Sequence, residues 1–370
     1  MRITRILGLI WKPLSLVGSI YWISVLGFIW TNHVSFYNGV YWGVITMSTV
    51  GYGDIVPTND AAKAFAMLLA ISTIGLLGYS VSTITTIALQ AREEEQLGLG
   101  GTRMTGHTLL LGWTPVSRAA LQELLLSGKK VAVMTRRQDA LAEIRTFVAN
   151  LLREARKNPE LRTRLTDERD VFVAFGEYSE RAALNLLNVE GATQAVVASD
   201  DDARNVLTAL VLKELAPHLR IVVAVLREEL RETLQAAGVT YVLSPSDLGG
   251  RLVSAAAIQP EVAKALDDVT TTAYGSTIDQ YEVNERNPLG GLGFDEAHRK
   301  LRQATGALLI GLARPVEGGS SSPQGKYRVD LDPPSDTRIE RGHYVLVLSS
   351  LKNIDRLRAW MGVPPGRPRD

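Results

Sequence analysis

The most chemically suggestive residues in this chain offer peptide carbonyls rather than reactive side chains. They are Thr49-Val50-Gly51-Tyr52-Gly53, followed by Asp54. Gly51 and Gly53 admit dihedrals closed to other residues, so successive carbonyls across this stretch can all point one way. Carbonyls gathered into a ring from several chains can replace the hydration shell of a cation. That chemistry needs the stretch to be held at membrane depth, where irregular backbone survives only if protein or a water-filled cavity surrounds it.

The surrounding sequence supplies such a setting. No Asp, Glu, Lys or Arg occurs from Pro13 to Gly53, nor from Ala64 to Gln90. Pro13 to about Thr31 is long enough to cross a hydrocarbon core that needs roughly 20 residues, with Trp11, Trp22 and Trp30 as interfacial anchors. No small-residue cleavage site follows this run, so it reads as a retained span rather than a signal peptide. Ala64 to Leu89 makes the second span. Between them Phe36 to Met47 is apolar and too short to cross, which suits a re-entrant helix. Arg2, Arg5, Lys12 and Arg92 place both span ends on one side, and the positive-inside rule makes that side cytoplasmic.

Thr49 to Asp54, behind a short helix and ahead of a spanning one, resembles the selectivity-filter signature of potassium channels, in their two-transmembrane subfamily. The resemblance implies that the carbonyls of Thr49, Val50, Gly51 and Tyr52, with the Thr49 hydroxyl, coordinate dehydrated K+, with Gly53 completing the filter. It implies that Tyr52 packs outward against aromatic neighbours such as Trp42, that Asp54 sits at the outer mouth, and that a homotetramer closes the ring. Ile45 stands where many relatives carry a glutamate that pairs with this aspartate. On the inner helix Gly75 and Gly78 are gating-hinge candidates, with close helix packing as the other reading. Hydroxyls at Ser80, Ser82, Thr83, Thr85 and Thr86 suit a wet pore wall.

Beyond Arg92 the charge density becomes that of a soluble domain. A glycine-rich linker, residues 93–105, leads into apolar strands alternating with helices, the pattern of a parallel, doubly wound α/β sheet. Residues 106–270 resemble the RCK (regulator of K+ conductance) or TrkA N-terminal domain and its intersubunit helices, on "HTLLLGW", "GVTYVLSP" and "GGRLVSAA". Residues 271–370 resemble the small α+β RCK C-terminal subdomain, on "RGHYVLVL". The membrane pore domain is then 1–92, and residues 314–326 make a Gly/Ser-rich loop. Residues 147–169 are longer than such a unit needs and read as an added charged helix, either solvated or in contact with a ring neighbour.

The ligand cleft of this domain is less legible. Gly112 and Trp113 open the first strand-to-helix turn, but Gly112-Trp113-Thr114-Pro115-Val116-Ser117 keeps one glycine of the dinucleotide fingerprint. The second strand ends in Thr135-Arg136-Arg137 instead of a ribose-binding acid, which disfavours NAD and weakens a dehydrogenase reading with it; the chain is not expected to be an enzyme. Val225 and Arg227 stand where calcium-activated relatives place glutamates, and Ser199 replaces an aspartate, so their usual Ca2+ site is missing. Asp200, Asp201 and Asp202 form a dense carboxylate cluster, read either as ligand groups or as a helix cap. The regulatory ligand stays open.

With 40 basic and 39 acidic residues the chain has no bulk charge to attract nucleic acid, and zero cysteines exclude disulfides and thiolate metal sites. The expected partners are lipid and the chain itself, in an inner membrane with both termini cytoplasmic. Since RCK rings hold eight domains, Met104 is a candidate internal start for soluble RCK copies. The leading expectation is a potassium channel gated by an RCK ring. The alternative is a membrane-anchored nucleotide-binding regulatory protein without conduction of its own.

Overall fold

The computed structural model describes residues 2–158, 165–271, 275–316 and 327–366. The Gly/Ser-rich stretch 317–326 and residues 159–164 of the charged segment lie outside them. The chain divides into two compact units, Met1–Glu93 and Glu94–Asp370.

The first unit is built from three helices, α1 (Arg2–Asn32), α2 (Phe36–Met47) and α3 (Asp60–Gln96), of which α3 ends in the second unit. Windows at Ser15–Asn32 and Asp60–Gln96 are long and apolar enough to cross a membrane. Helix α2 is the expected short one. Ser35 caps it by accepting from the Asn38 amide at 3.3 Å, which satisfies one of the free N–H groups of its first turn. Phe28, Trp42, Ala62 and Leu69 form the core of the unit. Small residues let the helices approach: a Cβ on Gly27 would lie 2.4 Å from the Phe65 ring, and one on Gly43 would lie 2.4 Å from Val25. By contrast, a Cβ on Gly75 or Gly78 would meet nothing of this chain within 4 Å. A Cβ on Gly39 would lie 2.2 Å from Ile29, so close packing in this unit is the work of Gly27, Gly39 and Gly43, and α3 runs unbroken through Gly75 and Gly78.

The second unit opens with a six-stranded parallel sheet: β1 (Thr108–Leu111), β2 (Val131–Thr135), β3 (Val171–Phe175), β4 (Gln194–Val197), β5 (Arg220–Ala224) and β6 (Tyr241–Leu243). Their order, β3-β2-β1-β4-β5-β6, is the doubly wound one, with its switch point between β1 and β4. Strands β1 and β2 are buried at every position because helices cover both faces. Those helices are α4 (Pro115–Leu126), α5 (Ala140–Ala155), α6 (Arg181–Leu184), α7 (Asp202–Leu215) and α8 (Leu230–Ala236), followed by α9 (Pro245–Ile258) and α10 (Pro260–Thr270). A four-stranded antiparallel sheet comes next, ordered β7 (Ser276–Glu282), β10 (Tyr344–Ser350), β8 (Leu308–Pro315), β9 (Tyr327–Leu331). Helices α11 (Phe294–Thr305) and α12 (Ile354–Met361) bury Leu301 and Leu357 in the same core as Tyr281 and Val345.

Two expectations change here. Phe147 to Ala155 is the second half of α5, not an added helix, and Val148 and Leu152 are buried in the core. The glycine-rich stretch after α3 is no free linker either. Leu97 packs against a core cluster and accepts the Phe175 amide at 2.8 Å, the Thr102 amide donates to the Leu186 carbonyl, and the Gly106 amide donates to that of Gly191. It is a strap laid on β3 and the connection after it.

Candidate functional site

The stretch Thr49–Gly53 begins where α2 ends. The Ile45 carbonyl accepts the Ser48 hydroxyl at 3.0 Å and the Val50 and Gly51 amides at 3.2 and 3.3 Å, so the end of the helix holds the start of the filter. The helix thereby aims the negative end of its dipole at the same place, which favours a cation there. Thr49, Gly51 and Gly53 have φ of 61°, 54° and 77°. Left-handed residues at every second position are the backbone that turns successive carbonyls to one side. The sequence accounts for the two glycines. Thr49 is the surprise, since a β-branched residue at positive φ is strained and persists only where its surroundings impose it.

The filter finds no cover within its own chain. Val50 and Tyr52 are 52% and 71% exposed, and a Cβ added at Gly51 or Gly53 would meet nothing within 4 Å. Tyr52 is not packed on Trp42. The Trp42 ring is stacked on Phe28 instead, with centroids 3.7 Å apart and planes 5° from parallel. Trp42 and Tyr52 both line a cavity of about 420 Å³, together with Thr46, Asp54, Ala66 and Met67. Asp54, which Ile45 leaves without a carboxyl partner, lies beside the Tyr41 side chain. Tyr41 lies one residue before Trp42, and nothing in the local pattern marks it. Sequence reasoning also missed Asn32 and Asn59, which lie at the ends of the two spans and hydrogen-bond to the loop and helix ends around them. Their only local signal is an asparagine at each helix boundary.

In the second unit Gly112 sits at the switch point with φ 99°. A Cβ there would lie 2.7 Å from the Ala198 carbonyl oxygen, so the glycine serves the close approach of β1 and β4. Trp113 meets the edge of Phe147, with centroids 6.1 Å apart, and Arg118 lies 4.6 Å from that ring's centre. The helix start beyond them is already occupied. Thr114 and Ser117 form a reciprocal cap, the Thr114 amide donating to Ser117 Oγ at 2.6 Å and the Ser117 amide to Thr114 Oγ1 at 3.3 Å. Pro115 has no N–H at all. Two of the amides that would greet a pyrophosphate, those of Thr114 and Ser117, are therefore committed.

The aspartates do not converge. Asp201 caps α7, accepting from the Arg204 amide at 3.2 Å. Asp202 is buried and accepts the Leu226 and Arg227 amides at 2.8 and 3.0 Å. Asp200 is exposed, and among the described residues no three His, Cys, Asp or Glu side chains group as metal ligands. Beside them, at the strand ends, Glu177 joins Arg136 at 2.8 Å and Arg204 at 2.5 Å. Burial alone would raise the Glu177 carboxyl, but hydrogen bonds from Ser179 and Arg204 and the charge of Arg136 hold it below the usual range.

Residues 6–90 match the ion channel family and residues 148–245 match the TrkA-N domain. The chain is 24% identical over 330 residues to the calcium-gated potassium channel TvoK of Thermoplasma volcanium, covering 86% of this chain and 83% of that one. It is 20% identical over 331 residues to potassium channel protein 1 of Methanocaldococcus jannaschii, covering 88% and 89%. Among solved structures it is similar to the human SLO3 gating ring, at TM-score 0.52 and 14% identity over 68% of this chain and 49% of that one. It is also similar to the GsuK channel bound to NAD, at TM-score 0.40 and 19% identity, covering 100% and 61%.

Proposed function

We propose that this chain, which belongs to the two-transmembrane potassium channels carrying a C-terminal RCK domain, supplies one quarter of a potassium-selective pore. Four copies place four Thr49–Gly53 stretches around one axis, and the carbonyls of Thr49, Val50, Gly51 and Tyr52, with the Thr49 hydroxyl, line the K+ path. The observation that carries this is the alternation of positive φ at Thr49, Gly51 and Gly53, in a segment that its own chain leaves uncovered. The basic residues Arg2, Arg5, Lys12 and Arg92 favour the RCK unit on the cytoplasmic side. There an intracellular ligand would rearrange a ring of RCK domains and pull on the inner helices, with Gly75 and Gly78 free of packing within the chain and available to bend.

The ligand is not settled by its relatives. The Thermoplasma channel is calcium-gated, and the GsuK channel structure is bound to NAD. In this chain the corresponding turns have their amides and carboxylates committed to one another, at Thr114, Ser117, Asp201 and Asp202.

The test is flux in proteoliposomes. Wild-type protein should pass potassium over sodium by at least about tenfold, which is about 1.4 kcal/mol of differential free energy. Gly51→Ala or Gly53→Ala should abolish that flux, because alanine resists positive φ. Potassium flux that survives both substitutions refutes the filter assignment, whereas wild-type protein that passes no potassium leaves the non-conducting regulatory reading.

A further inference from the structure

A filter must be fixed at both ends. Its inner end hangs from the Ile45 carbonyl. Its outer end runs into Asp54–Asn59, which is neither helix nor strand. Such a loop has no ladder of its own to hold it, so its position must come from side chains.

Asn32, the last residue of α1, supplies three bonds. Its Nδ2 donates to the Val56 carbonyl at 3.0 Å, while its Oδ1 accepts the Thr58 amide at 2.8 Å and the Thr58 hydroxyl at 2.6 Å. Asn59 closes the arrangement from the other side. Its Nδ2 donates to the Thr31 carbonyl at 2.7 Å, one of the last-turn carbonyls that a helix leaves unpaired, and its Oδ1 accepts the Ala62 amide at 2.8 Å at the start of α3. Asn32 suits this task because one planar amide offers a donor and an acceptor at a fixed separation. Alanine offers neither, and serine is too short to reach residues 56 and 58 together.

We propose that Asn32 is a positioning residue for ion selection. It clamps the post-filter loop to the outer helix and so fixes where the Tyr52 and Gly53 carbonyls stand. Selection between potassium and sodium depends on the separation and field of the coordinating carbonyls. A loop released at Val56 and Thr58 lets the outer carbonyls spread, and a filter free to spread accommodates both ions.

This rests on the filter assignment above, and the experiment separates the two. Full-length Asn32→Ala, Thr58→Val and the double variant are reconstituted beside wild type. The potassium-to-sodium permeability ratio is read together with the tetramer fraction on size exclusion. The expected result is a ratio lowered about tenfold in Asn32→Ala, a smaller loss in Thr58→Val, and a double variant no worse than Asn32→Ala, since both act through one contact. A merely structural role would lower the tetramer fraction and leave the ratio of the surviving tetramers unchanged. Conducting Asn32→Ala tetramers with the wild-type ratio overturn the clamp, as do losses that multiply in the double variant. Should Asn32→Ala fail to assemble, Thr58→Val decides, and a wild-type ratio there overturns the proposal. Wild-type channels that fail to discriminate refute the filter assignment instead.

Discussion

Replacing Gly98 by alanine should release the strap that follows the inner helix. Gly98 has φ 69°, a conformation that costs a non-glycine residue about 1–2 kcal/mol. Its added Cβ would also lie 2.4 Å from the Val173 carbonyl oxygen and 2.8 Å from Ala174 Cα, both backbone atoms that cannot swing aside. The variant either bears that strain or lifts the strap off β3. Lifting forfeits the bond from the Phe175 amide to the Leu97 carbonyl, worth about 1 kcal/mol. It also returns the partly buried Leu97 side chain to water, at about 1 kcal/mol. The strain is comparable to the roughly 2 kcal/mol that these contacts supply, so the local opening free energy falls by up to about 2 kcal/mol, and amide exchange along the strap accelerates on the order of 30-fold. Hydrogen exchange of the intact protein reads this at Thr102 and Gly106, whose amides donate to the Leu186 and Gly191 carbonyls. Gly100→Ala is the control, because a Cβ there meets nothing within 4 Å, and it should leave exchange unchanged. Equal exchange in wild type and Gly98→Ala, or equal acceleration in the control, refutes the docked strap. The same geometry bears on a soluble copy begun at Met104, which would lack Leu97, Gly98 and Thr102 and should exchange faster at Phe175.

Two further outcomes test the second unit. His107 is fully buried; its Nε2 donates to the Leu187 carbonyl at 2.8 Å, and its Nδ1 has no partner among the described residues. Burial pushes its pKa below the ordinary value, and the Leu187 carbonyl opposes that only in part. The unfolded chain therefore takes the proton first, so this contribution to stability is intact above about pH 6.5 and declines as pH falls toward the folded value. His107→Gln, which keeps a donor for Leu187, should flatten the pH dependence of thermal unfolding between pH 8 and 5; an unchanged slope refutes the assignment. Asp202→Ala should destabilise the protein by about 2–3 kcal/mol in denaturant melts by stranding the Leu226 and Arg227 amides, whereas Asp200→Ala, on the surface, should stay within about 0.5 kcal/mol.

What could be read in the sequence is what lies close together in the sequence. The proposed filter could be read because the ligands it would offer are consecutive carbonyls, and the sheet was legible because burial on both faces writes continuous apolar strands such as Val131–Thr135. Glycine was the recurrent ambiguity, since one residue type serves freedom, positive φ and close approach alike. Leu97–Gly106 reads as slack by composition, yet Gly98 is there because Val173 is too near for any side chain. Gly75 and Gly78 read as packing sites or hinges, while the close helix approaches fall at Gly27, Gly39 and Gly43. Which use applies depends on a neighbour tens of residues away, as does the role of Asn32, whose partners lie 24 and 26 positions on. On the filter assignment proposed above, potassium selection would be a local property of five residues, supported at a distance by Asn32.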